Sequence, residues 1–137
     1  MMRAVIGVGF LLATALVYGQ ASSGWPCAGE LAKSEGDSRT LRVTIGVAET
    51  YVEKKILPDV SDLKRKKTNS TVVIKLLIGK DGAVRCSEVV QGDANLRQRS
   101  LEAVKQWRFR PYLLSGQPII VDTEAEFVFK KGKVTAH

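Results

Sequence analysis

Residues 101–118 read LEAVKQWRFRPYLLSGQP. Leu101, Val104 and Trp107 recur at helical spacing, and the period breaks at Pro111, which lacks the N–H a helix needs. Ser115-Gly116-Gln117-Pro118 then supplies turn chemistry. Working outward on the C-terminal side, Ile119, Val121, Thr123, Ala125, Phe127 and Phe129 alternate with Ile120, Asp122, Glu124, Glu126 and Val128. That period of two predicts a long strand with one buried face. A helix ending on a tryptophan, a basic-aromatic exit and one alternating strand therefore organise the chain. No part of that arrangement is catalytic.

On the N-terminal side, Gly92-Asp93-Ala94-Asn95 opens the helix, with Asp93 or Asn95 as N-cap and Gln98 completing a weak capping box. Leu96, Leu101, Ala103, Val104 and Trp107 form its apolar face. Before it, residues 71–79 (TVVIKLLIG) and 83–91 (AVRCSEVVQ) read as two strands joined at Lys80-Asp81-Gly82. Asp-Gly between strand-like runs is a hairpin signal, because the turn needs positive φ. The parity of the second run drifts between Val84 and Val89, which predicts a bulge. Further back, residues 41–47 suggest a short strand, residues 48–56 a helix, and residues 59–67 the start of a second short helix after Pro58.

The ends differ in character. Arg3 precedes an apolar run, AVIGVGFLLATALV at residues 4–17, and small residues follow around Gly19 and Ala21. This is the pattern of a secretory signal peptide over residues 1–21. The rival is a short N-terminal anchor, although the run is shorter than the roughly 20 residues of a membrane span. Residues 22–40 are rich in Ser, Gly and charge and read as a lead-in, residues 41–130 as the domain, and residues 131–137 as a flexible polar tail.

At 137 residues the chain has room for one core, and 45% apolar residues are enough to build it. The net charge of +7, one less without Arg3, is concentrated only at Lys64-Arg65-Lys66-Lys67, which reads as a solvated face, with a surface for nucleic acid or anionic lipid as the alternative. No zinc-finger, helix-turn-helix or RNP-like pattern points to nucleic acid. The one histidine, His137, is terminal, and no Gly-rich phosphate loop occurs. Asp122, Glu124 and Glu126 read as a solvated strand face. No enzyme, cofactor, metal or small-molecule substrate is expected. Cys27 and Cys86 are too far apart for a redox or metal knuckle. Two readings stand side by side: a disulfide in an oxidising compartment, or Cys86 as a small buried thiol in its strand.

Trp107-Arg108-Phe109-Arg110-Pro111, taken with Ile78-Gly79-Lys80-Asp81-Gly82, Val84, Glu88-Val89-Val90, Leu101-Glu102-Ala103-Val104 and Ser115-Gly116-Gln117-Pro118, resembles the C-terminal domain of TonB-family energy transducers. The resemblance covers about residues 43–129. It implies a two-layer α+β domain, a small antiparallel sheet with two helices packed on one face. It further implies a periplasmic module that pairs a strand edge with the TonB-box peptide of an outer-membrane transporter, supporting energy-dependent transport. The matching edge would be the last strand, with Ile119, Val121, Thr123, Ala125 and Phe127 as its partner-binding residues, and Trp107 and Phe109 as core anchors. The sequence departs from the family in having Leu57-Pro58-Asp59-Val60 where a Pro-x-Tyr-Pro segment is usual. It also lacks a long Pro-rich spacer: the roughly 20 residues after the apolar run reach about 70 Å at most. A second reading is a self-associating periplasmic adaptor, a homodimer through the same edge, without energy transduction.

Overall fold

The computed structural model describes residues 25–37, 39–66 and 68–137, so the signal segment expected at residues 1–21 lies outside the described residues. In chain order the elements are α1 (Pro26–Glu35), β1 (Thr40–Arg42), α2 (Ile45–Glu49), β2 (Val52–Lys54), a 3-10 turn (Ser61–Leu63), β3 (Asn69–Ile78), β4 (Val84–Gln91), α3 (Ala94–Val104), β5 (Arg108–Phe109), β6 (Leu113–Leu114), β7 (Gln117–Pro118), β8 (Ile120–Lys130) and β9 (Lys133–Ala136). The main sheet runs β1-β8-β3-β4, and β9 also pairs with β8. The pairs of β3 with β4, β3 with β8 and β8 with β9 are antiparallel, while β1 lies parallel to β8. The α+β expectation holds.

The alternation in β8 decides the layering. Val121, Thr123, Ala125, Phe127 and Phe129 are all buried, and they meet Val72, Ile74, Leu76 and Ile78 of β3 across one face. Leu96, Ala103 and Val104 of α3, Ala48 of α2, Leu63 and Trp107 close this core. Each large side chain in it contributes about 1.5–3 kcal/mol through removal from water. The hairpin forms at the predicted place: the Gly79 N–H donates to Ala83 O and the Gly82 N–H to Gly79 O. Gly82 has φ +82°, and a Cβ there would lie 1.8 Å from Phe109 O, so only glycine fits. The parity drift in β4 appears as register shifts at both ends of its pairing with β3.

Four local expectations are corrected. Residues 48–56 do not form one helix: α2 ends at Glu49 and the chain turns into β2, which pairs with β5 beside Trp107. Residues 59–66 of the second expected helix contribute a single 3-10 turn, Ser61–Leu63, and Lys67 lies outside the described residues. Residues 22–40 contain a ten-residue helix, α1, begun by Pro26 at its first position and ended by Gly36 in the left-handed region at φ +64°. It packs on the opposite face of the sheet, where Leu31 meets Leu77, Cys86 and Ile120. Residues 131–137 are not a loose tail. Lys131 and Gly132, with φ of 51° and 75°, make a two-residue turn of the kind that matches strand twist, and β9 folds back onto β8 with Ala136 buried.

Candidate partner-binding site

The basic-aromatic exit after α3 sorts its side chains by strand parity. Trp107 and Phe109 point inward and are buried, while Arg108 and Arg110 stay exposed. The Trp107 indole N–H donates to Ile56 O at 2.8 Å, and its ring meets Phe127 edge-on at 5.5 Å. The Phe109 N–H donates to Gly82 O, which ties the exit to the β3–β4 hairpin. Arg110 donates from its backbone to Tyr51 O and from its guanidinium to Thr50 O, both at 2.8 Å, and lies over the Tyr51 ring. Tyr51 in turn stacks on Tyr112 at 4.0 Å. Both expected core anchors thus sit where the helix, hairpin and long strand converge.

The expected edge strand is in a different position. Ile119, Val121, Thr123, Ala125 and Phe127 lie at or near the start and middle of β8, which is inside the sheet with β3 along its full length on one side. Their side chains are 0–4% exposed and form core, so they are not contact residues on a free edge. The sequence period reports which face of a strand is buried but carries no information about which of its two rims is paired.

The outer rim of β8 is closed by two short strands. β1 covers Ile120–Asp122 and continues with Val43 N–H donating to Asp122 O at 3.0 Å. β9 covers Phe127–Lys130, and Glu126 exchanges both backbone hydrogen bonds with His137 at 2.9 Å. By the alternation of a strand, Glu124 is the step between them whose N–H and C=O face outward, and no backbone partner closes it among the described residues. A groove of about 610 Å³ opens at this step, lined by Arg42, Val43, Thr44, Ile45, Gly46 and Glu124. Arg42 reaches Asp122 at 3.1 Å and Glu124 at 3.6 Å, and the other carboxylate oxygen of Asp122 is buried without a partner among the described residues. The strand face read as solvated therefore carries a small charge network.

On the far side of the sheet no strand pairs with the outer rim of β4 among the described residues, and Val90 there is 61% exposed. Cys86 of the same strand is joined to Cys27, with Cα atoms 5.9 Å apart, which fastens α1 to the sheet. Among the described residues no group of three or more His, Cys, Asp or Glu side chains is placed to hold a metal ion. Glu49 has its carboxyl held below the usual range by the hydrogen bond from Lys55, whose ammonium also donates to Ala136 O of β9. Sequence reasoning missed β9 and this latch. The alternation of Val134 and Ala136 is too short to stand out, and Lys-Gly is a weaker hairpin signal than Asn-Gly or Asp-Gly.

A family model, Gram-negative bacterial TonB protein C-terminal, matches residues 61–130. The chain belongs to the TonB C-terminal family. The match spans β3, β4, α3 and β8, the elements that carry the motifs quoted above. Among solved structures the chain is similar to the solution NMR structure of the Pseudomonas aeruginosa TonB C-terminal domain. The two are 18% identical with a TM-score of 0.49, and the match covers 58% of this chain and 83% of that one. No curated protein matches. Among the described residues no helix is long and apolar enough to cross a membrane.

Proposed function

We propose that this TonB-family domain is a periplasmic, non-enzymatic binding module that takes the TonB-box peptide of an outer-membrane transporter onto the outer rim of β8. The observation that carries this reading is the broken closure of that rim. β1 and β9 supply only three and four residues against a strand of eleven, and the groove opens where they fail to meet at Glu124. An extended peptide gains affinity from backbone hydrogen bonds at such a rim, and exchange with β9 would lengthen the available edge. Ile119, Val121, Thr123, Ala125 and Phe127, expected as the contact set, are buried and anchor β8 to the core instead. The apolar run at residues 4–17 and the joined cysteines support export to an oxidising compartment.

Titration of the isotope-labelled chain with a synthetic TonB-box peptide, followed by amide chemical shifts, tests this. Saturable changes at Asp122, Glu124, Glu126 and Val128 are expected, because these positions present their N–H groups outward. Changes confined to residues 84–91 would move the site to β4, and absence of saturable binding would remove the peptide-binding role. The second reading, an adaptor that self-associates, is favoured by one observation, the open β4 rim with exposed Val90. Sedimentation at micromolar concentration separates the two, since a peptide-binding monomer stays monomeric when the peptide is absent.

A further inference from the structure

The fold brings together two basic segments that are far apart in sequence. Lys64, Arg65 and Lys66 follow the 3-10 turn, and Lys130, Lys131 and Lys133 surround the β8–β9 turn. The two stretches touch through backbone: a Cβ placed on Gly132 would lie 2.8 Å from Lys64 Cα and 3.2 Å from Leu63 O. All six side chains are exposed, and none of them is in an ion pair among the described residues. The nearest acid in sequence, Asp62, is held by a two-pronged pair with Arg99 at 2.8 and 3.0 Å; it lies within Coulomb range of Lys66 but makes no ion pair with it. Lys67 adds a further charge in the sequence. Six like charges crowded at one end of a sheet cost self-repulsion unless an anionic surface relieves it.

We propose that this end of the domain docks electrostatically on an anionic lipid surface, with the headgroup phosphates as its ligand. Five of the six cations are lysines, point charges on flexible stems that suit a diffuse array of phosphates, whereas planar carboxylates on a protein partner favour arginine forks. Single-stranded nucleic acid would call for aromatic rings interleaved with the charges, and the six positions include none. Near an anionic lipid surface each lysine or arginine gains about 1 kcal/mol by attraction to the headgroups, and a cluster adds these gains. The patch lies at the Lys130 end of β8, while β1 joins at Ile120–Asp122, so docking would stand the sheet on its end, with β1 at the remote end.

Partition of the full chain onto vesicles of equal parts phosphatidylglycerol and phosphatidylcholine, divided by its partition onto pure phosphatidylcholine, tests the proposal. Taking the ratio cancels whatever the apolar N-terminal run contributes. Each neutralised cation is expected to lower the ratio about fivefold, so Lys64→Gln with Lys66→Gln lowers it about 25-fold. Lys131→Gln with Lys133→Gln should do the same, since the two segments form one surface. Lys54→Gln with Lys105→Gln, an equal charge change at exposed positions outside the patch, should lower it less than about threefold. Two results would overturn the proposal: a control pair that falls as far as the patch pairs, or either patch pair leaving the ratio unchanged. Tighter binding of an oligonucleotide than of the anionic vesicles, with the same dependence on both patch pairs, would overturn the lipid assignment as well. Unchanged circular dichroism confirms that the exposed substitutions leave the fold intact.

Discussion

Thr123 and Tyr112 show how much a single polar atom matters in this core. Thr123 is 1% exposed in the middle of β8, and its hydroxyl has no hydrogen-bond partner among the described residues. An unsatisfied buried hydroxyl costs about 1–3 kcal/mol, so Thr123→Val, which keeps the shape and removes the polar atom, is expected to raise stability by about 1 kcal/mol. Chemical denaturation reads this directly, and a loss of stability would mean that the hydroxyl has a partner in solution. The Tyr112 hydroxyl is also buried and unpaired among the described residues, and burial pushes its pKa up to about 12. An unfolded chain releases that proton near pH 10, while the folded chain holds it to about pH 12. Between these values the folded state binds more protons, so this contribution to stability is complete below pH 10 and is lost as pH rises through 12. Tyr112→Phe should remove that part of the alkaline decline, and equal slopes for the two proteins in unfolding titrations from pH 9 to 12 would contradict it.

Among the elements, α1 depends most on a covalent tie. Its one buried residue is Leu31, and the Cys27–Cys86 bridge closes a sequence separation of 59. Cross-linking a loop of that length is worth about 4 kcal/mol in the chain-entropy account. Reduction, or Cys27→Ser with Cys86→Ser, is therefore expected to release α1 while α3 and β3 keep their packing. Hydrogen exchange checks this: α1 amides should lose protection and those of β3 should retain it, whereas uniform loss would show one cooperative unit. Long elements with one buried face were legible in the sequence, since β3, β8 and α3 each repeat their apolar period several times. The short elements were not. α1 buries one side chain, β1 has three residues, and β9 depends on two positive-φ residues that are neither Asn nor Asp. Their stability comes from contacts with the sheet, which a local period does not contain. Trp107 and Phe109 were legible as anchors because a tryptophan closing an apolar helical face has few places to go other than the core.

For the molecule as a whole, the decisive fact is that β8 is both the spine of the core and the strand whose outer rim is incompletely closed. Its inner rim and buried face are fixed by β3 and α3, so the rim geometry survives changes at the periphery. β9 is held by its two-residue turn, by four paired residues, by Lys55 on Ala136 O at 3.0 Å and by the backbone exchange of His137 with Glu126. A competing peptide has to replace these contacts, so the closed form suppresses affinity in proportion to its population. Deleting residues 133–137 uncovers the rim from Glu126 to Lys130 and joins it to the open step at Glu124. If β9 is docked at least nine-tenths of the time, the deletion should raise TonB-box peptide affinity about tenfold or more, measured by calorimetry on the otherwise intact chain. The uncovered strand should also pair with copies of itself, and sedimentation without peptide should show dimers that the peptide dissolves. Unchanged peptide affinity in a deletion variant that remains folded would mean that β9 does not guard the site. The open β4 rim would then be the surface to which the peptide adds.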